Sequence, residues 1–552
     1  MLSFSLSTVR FLFPAFTTLL VALSPLVSHL PAQGTLVPPG APVATMRTLA
    51  QIEPRTPLES LAGDSTAVYL VNSPGAYYVS AGNVAGVSGK AAIAINSSGV
   101  TIDLNGFSLI GVGGATRGIE IRGAFTNLAI RNGGISTWSG AGIGLSTANA
   151  PTGVILDNLR ITSVGGPGID LRGGNAVSVT GCSVTGASSG ILLGAASGTV
   201  HACAVANLAG AGAQIFGIFA GSVSSCEVNT VATSGGADSQ GILARVAHAC
   251  SVTAIDSGGS GTSSGIQADT VTACAAATIG ATASGVSQGI GGTTISACNV
   301  SSVGGPSSSS VQYGIVGSGT VSDCTVITVG SSSSSALMYG IQADIAARCR
   351  VTSISCTSSM TGIAARLVNS SVATNLVHLG AATGSMTGIN GDRVSDCQVD
   401  ILGANTSAPA IGIFAKRSIS GSTASGVANF GAGGSFGLDL GTGCEAAHCQ
   451  VAGASTTGIR ATGNAKITQC EVSGATITTG IDCQAGGSLV DGNNVFGCTT
   501  GIKAAGATLV TRNHVTNSPT KFTVTAAVQL GPVSNAAGTI LSTVSPWANF
   551  SD

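Results

Sequence analysis

"GILARVAHACSV" runs from Gly241 to Val252, and "GIQADTVTACAA" follows from Gly265 to Ala276. The Gly-Ile pair recurs after 24 residues, and so does the cysteine, from Cys250 to Cys274. Gly followed by Ile or Leu marks this phase seventeen times between Gly118 and Gly501, 383 residues in sixteen steps. No step is shorter than 21 residues or longer than 27. A fixed period of this kind is the signature of a repeat architecture. Helical repeats need 33 or more residues and few glycines, and the leucine-rich frame is missing. β-branched residues two apart, followed by Gly, Ser or Asn, read as short strands and turns.

Three short parallel strands per turn use about 24 residues. Each coil then stacks on the last at about 4.8 Å, so 17 or 18 coils make an all-β solenoid rod of roughly 80–85 Å. Strand alternation places isoleucine inside and the next residue outside. In "CSV", "CEV", "CNV" and "CTV", cysteine and valine share the inner face. One coil cannot bury its own apolar face, so its neighbours complete the core.

Composition agrees with a packed, turn-rich chain. Of 552 residues, 81 are glycine, only 8% are charged and 44% are apolar, with net charge −1. That balance excludes electrostatic binding of nucleic acid, which needs a basic face. Residues 1–32, with Arg10 before the apolar run Phe11–Val27, read as a secretory signal cleaved near Ala32. The mature chain is expected to be secreted or at a cell surface, with no membrane span. Residues 33–65 are expected to form a proline-rich linker, and 66–117 an N-terminal cap and first coil. Within the cap, Val68–Gly86 fits a hairpin. The solenoid is assigned to 118–516 and a C-terminal cap to 517–552, with Trp547 and Phe550 covering the last coil.

Cys182, Cys203, Cys226, Cys250, Cys274, Cys298, Cys324, Cys349 and Cys397 form one column, which Cys449 and Cys470 resume. They read as small hydrophobes filling a narrow core. The off-column Cys356, Cys444, Cys483 and Cys498 are the better candidates for disulfides. No CxxC pair occurs, and His201 and His248 lie two coils apart, so no metal site is expected.

Outward charges alternate in sign from coil to coil. One column ends Asp439, Arg460, Asp482, Lys503, and another reads Asp344, Arg366, Asp392, Lys416, with Arg245 and Asp269 before it. Opposite charges facing each other across strands stabilise by a few tenths to about 1 kcal/mol, so these columns read as register-fixing ladders. Leu192, Phe219 and Leu243 make a short apolar stripe in the first column. Tyr313 and Tyr339 precede the glycine on neighbouring coils and should stack, either as corner packing or as a contact for a sugar ring. The densest acidic group, Asp392, Asp396 and Asp400 in "GDRVSDCQVDIL", reads as ladder charge plus a corner aspartate. Asp392 and Asp396 are the residues to test for hydrolysis.

"PPGAPVATMRTLAQIEPRTPL", "PGAYYVSAGNVAGVSGKAAIAI", "VTIDLNGFSLIG" and the terminal "SPWANF" resemble exported bacterial right-handed parallel β-helix repeat proteins of the pectate-lyase-like superfamily. The resemblance implies a right-handed, single-stranded parallel β-helix. It does not fix an activity. Lyases of that superfamily bind calcium through clustered carboxylates, and its galacturonases use neighbouring aspartates. No Asn-Thr-Asp, Asp-Asp, Gly-His-Gly or Arg-Ile-Lys string occurs here. The expected function is therefore a non-catalytic structural, adhesive or glycan-contacting rod that needs no cofactor. Its partners would be polysaccharide or cell-surface components. The alternative is a polysaccharide lyase or glycoside hydrolase acting on an acidic glycan, with Ca2+ only in the lyase case.

Overall fold

The computed structural model describes residues 53–551, apart from 147–149, 195–197, 212–213, 259, 282–284, 306–310, 331–336, 379–383, 455 and 536–545. The expected signal segment, most of the linker and the serine tracts before Tyr313 and Tyr339 lie outside the described residues. Residues 55–552 form one compact unit. Every strand pairing in it is parallel, and each strand pairs with its equivalent about one period away in sequence. The architecture is a parallel β-helix.

Its axis is traced by one column. Ile93, Ile119 and Ile143 align in register, followed by Ile169, Ile191 and Ile218. The column continues through Ile242, Ile266, Ile290, Ile315 and Ile341, then Ile363, Ile389, Ile413 and Leu438. It ends on Ile459, Ile481 and Ile502. All are fully buried. Eighteen rungs span seventeen spacings, about 82 Å. Tyr69 and Phe522 stand at its two ends.

The glycine before each isoleucine is required by close approach. A Cβ on Gly241 would lie 2.5 Å from the Gly265 carbonyl oxygen and 2.4 Å from Val252 Cγ1. Gly314, Gly340 and Gly388 meet the next coil's glycine and their own coil's valine in the same way. Two successive residues, glycine and isoleucine, face inward, so the strand bends there with its backbone pressed against the next coil.

A second bend precedes each column cysteine. Ala202, Ser225, Ala249, Ala273, Ala297, Asp323 and Arg348 have φ between 50° and 55°, a left-handed conformation uncommon for residues other than glycine. The bend interrupts the backbone ladder, and the cysteine side chains repair it. The Cys182 amide donates to Sγ of Cys203 at 3.4 Å, and the Cys250 amide donates to Sγ of Cys274 at 3.4 Å. Each thiol donates in turn to the carbonyl two residues earlier, as Cys274 does to Thr272 at 3.2 Å. The column is therefore a hydrogen-bonding ladder as well as core filling. Its gaps are filled by isosteres: Ser371 Oγ accepts from the Cys349 amide and Ser422 Oγ from the Cys397 amide, each at 3.1 Å. Towards the C-terminus asparagine takes over, with Asn493, Asn513 and Asn549 accepting from the amides of Cys470, Asn493 and Asn513.

Several expectations are corrected. All fifteen cysteines are buried free thiols, including Cys356, Cys444, Cys483 and Cys498, so the off-column set does not pair. Val68–Gly86 is no hairpin: Ala67–Val71 and Gly75–Tyr78 pair in parallel with Ala91–Ile95 and Val100–Asp103. This coil lacks the Gly-Ile mark, which hid it. The end of the expected linker is ordered, with Thr56–Pro57 pairing beside Gly75–Tyr78 and Leu58 fully buried. Parallel pairing also continues past 516. Trp547 and Phe550 are exposed, at 58% and 43%. The fully buried Asn549 closes the last coil instead, because the ladder there needs an amide acceptor more than an apolar lid.

Candidate functional site

The two outward charge ladders pair in twos, whereas Arg245 and Asp269 form no ion pair among the described residues. Arg366 forks onto Asp344 at 2.8 and 3.1 Å, and Lys416 Nζ lies 3.6 Å from Asp392. Arg460 forks onto Asp439, with its guanidinium 3.6 Å from the Phe436 ring, and Lys503 is 3.7 Å from Asp482. Arg348–Asp323, Lys466–Glu445 and Arg512–Asp491 join further coils. In all seven the acid sits on the earlier coil and the base on the later one. The arginine fork holds the Asp344, Asp323 and Asp491 carboxyls below their ordinary range.

The acidic group around Asp392 does not converge. Asp392 faces Lys416, Asp396 sits at the left-handed bend with φ 53°, and Asp400 accepts from Ser425 at 2.7 Å on the following strand. Among the described residues, no three His, Cys, Asp or Glu side chains gather to hold a metal ion. His201 Nδ1 and Ser224 Oγ lie 2.9 Å apart. Ser224 stands between His201 and His248 in register.

Besides a smaller one at Asp482, Gln484 and Lys503, two clefts open among the described residues on the face that carries the residue after Gly-Ile. The larger, about 640 Å³, is lined by Arg117, Ser139, Gly140, Gly144, Gly166, Asp170 and Arg172 among others. Glycine in the outward column makes its floor, and a Cβ on Gly144 would meet Arg117 Nε at 3.3 Å. Arg117 bonds Glu120 at 2.9 Å, Glu120 bonds Arg122 at 2.9 Å, and Arg122 reaches Asp64. Arg172 forks onto Asp170 at 2.8 and 2.7 Å. Arg117 spends only part of its donor fork on Glu120, so this wall can donate to hydroxyls or a carboxylate.

The second cleft, about 360 Å³, is lined by Gln267, Asp269, Gln288, Gly291, Thr293, Val316 and Ser318 among others. Gln288 pairs in register with Tyr313, and Tyr313 with Tyr339. The two tyrosines stack as expected, with ring centroids 5.5 Å apart and planes 13° apart. Thr361 follows Tyr339 in the column. The stack therefore runs along the rod, with ring faces turned to column neighbours; edges and hydroxyls remain for a ligand. In the apolar stripe, Leu192 is buried and Phe219 stacks on Phe216 at 5.1 Å.

The coils, their inward isoleucines and their outward ion pairs define a parallel β-helix protein. Residues 117–259 match the family described as "Right handed beta helix region". No curated protein and no solved structure matches the chain. Among the described residues, no helix is long and apolar enough to cross a membrane.

Proposed function

We propose that the chain is an exported, non-catalytic rod that contacts glycan along its outward face. The observation that carries this reading is the use of the carboxylates. Seven of them between Asp323 and Asp491 are held by a base on the neighbouring coil. A general acid or base has to be free to exchange a proton with substrate, and these side chains serve the stacking of coils. The two clefts supply what an extended sugar chain needs: amides at Gln267 and Gln288, hydroxyls at Thr293 and Ser318, and arginine donors at Arg117 and Arg172. The reading of residues 1–32 as a secretory signal supports the exported part of this proposal.

The purified protein should be screened on uronic-acid and neutral glycans, with and without calcium. Retention on at least one glycan is expected, weakened by Tyr313→Ala/Tyr339→Ala or by Arg117→Ala, with no new reducing or unsaturated ends. New ends that vanish in Asp392→Ala or Asp396→Ala would establish the lyase or hydrolase reading instead.

A further inference from the structure

One corner of the core is built from two facing columns. The first runs Thr233, Ser257 and, two residues after Ile354, Cys356, then His378. Ser257 likewise stands two residues after Ile255, and Val303 and Val329 carry the register between Ile279 and Ile354. The second column runs Ser239, Ser263, Ser287, Gln312, Met338, Met360, Met386. Where both columns are polar they touch: Ser239 Oγ donates to Thr233 Oγ1 at 3.1 Å, and Ser263 Oγ to Ser257 Oγ at 2.9 Å. The same two positions, four and five coils further on, hold Cys356 with Met360 and His378 with Met386.

The corner thus changes from paired hydroxyls to soft donors on adjacent coils about 4.8 Å apart. Three of the chain's five methionines stack here, each 2% exposed or less. Methionine by itself is ordinary core filling. His378 is not: it is 6% exposed, and both its ring nitrogens are buried without a hydrogen-bond partner among the described residues. An uncompensated buried polar group costs about 1–3 kcal/mol, and an apolar residue would fill the space without that cost. The neutral imidazole is the form that ligates.

We propose that this corner binds one soft monovalent cation of the Cu(I) class, held by Cys356, His378, Met360 and Met386. Thioether, thiolate and imidazole donors are the set that selects Cu(I) over harder ions. The Cys356 thiol, which now donates to the Ser358 carbonyl at 3.1 Å, releases its proton to solvent as the sulfur takes the ion. The thiolate then neutralises the ion's single charge inside the low-dielectric core. Met338 lies one coil below and packs the site from that side.

The full chain, titrated anaerobically with Cu(I) against bicinchoninate, should withhold one ion from the chelator. In protein labelled with 13C at the methionine methyls, three of five resonances should shift, those of Met338, Met360 and Met386. Met360→Leu/Met386→Leu keeps the core volume and should lower the affinity at least tenfold. Cys274→Ser, in the thiol ladder, should leave it unchanged. The proposal falls if no ion is withheld, if retention survives the double variant, or if Cys274→Ser abolishes it while the methyls stay in place. Should the double variant fail to fold, the methyl shifts of the unaltered chain decide.

Discussion

At the scale of the residue, the fold depends on what glycine lacks and on what the small polar side chains supply. Gly265→Ala would drive a Cβ to 2.5 Å from the Gly289 carbonyl, where only backbone can yield. Overpacking of this kind costs about 1–3 kcal/mol, so a clear drop in Tm is expected. Gly403 sits in the strand Gln398–Ala404 with nothing within 4 Å of the same atom. Gly403→Ala should stay within about 0.5 kcal/mol of the parent in denaturant unfolding. Equal losses at both sites would mean that glycine serves the fold through flexibility rather than close approach. The ladder makes a second contrast. Cys274→Ser keeps an acceptor for the Cys250 amide, as Ser371 and Ser422 do, whereas Cys274→Val leaves that buried N–H unpaired, a loss of about 1–3 kcal/mol. Equal stability of the serine and valine variants would reduce the column to core filling. The sequence showed where these cysteines stand but not this role. Cysteine counts as a small hydrophobe, and Ser371, Asn493 and Asn513 were legible as its replacements only once the register was known.

At the scale of the element, the strands are held inside by the thiols and outside by the charges. Burial pushes Cys349, Cys444 and Cys483 up to about 12, while an unfolded thiol titrates near 8.5. The folded chain therefore keeps protons that the unfolded chain releases above that pH. Stability from this source is complete below about pH 8.5 and is lost as the pH climbs towards 12. Melting temperature followed from pH 7 to 10, before most lysines and tyrosines titrate, should begin to fall near 8.5. A flat profile would show that the thiols are not held protonated. Outside, Arg460 combines a fork on the 5%-exposed Asp439 side chain with a face on Phe436. Arg460→Ala should cost about 2–3 kcal/mol in denaturant unfolding, because it strands a buried carboxylate. A loss no larger than the few tenths typical of exposed pairs would mark the pair as ornamental. The alternation of signs made these ladders readable from sequence. The corner of Cys356, His378 and the methionines was not readable, because its members are separated by turns of unequal length and belong to different strands.

At the scale of the whole molecule, each coil meets only its two neighbours, and stability is close to a sum over coils and interfaces. Gln240 and Ser264 hold equivalent positions, as do Ile242 and Ile266. Deleting residues 241–264 joins Gln240 to Gly265 in phase, sets Ile266 on Ile218 and sets Cys274 in the place of Cys250. The shortened chain should fold cooperatively, with its β-sheet circular dichroism retained and its long axis reduced by about 4.8 Å. Deleting residues 241–252 removes half a coil. Gln240 then runs into Thr253, the corner glycine and the ladder cysteine of that coil disappear together, and the strands that follow meet the wrong faces of their neighbours. That chain should lose its cooperative transition and aggregate through unmatched strand edges. If both deletions were tolerated alike, the two-dozen-residue phase would not be the unit of the fold. If neither were, long-range contacts would have to tie the rod together, and the nearest-neighbour picture would fail.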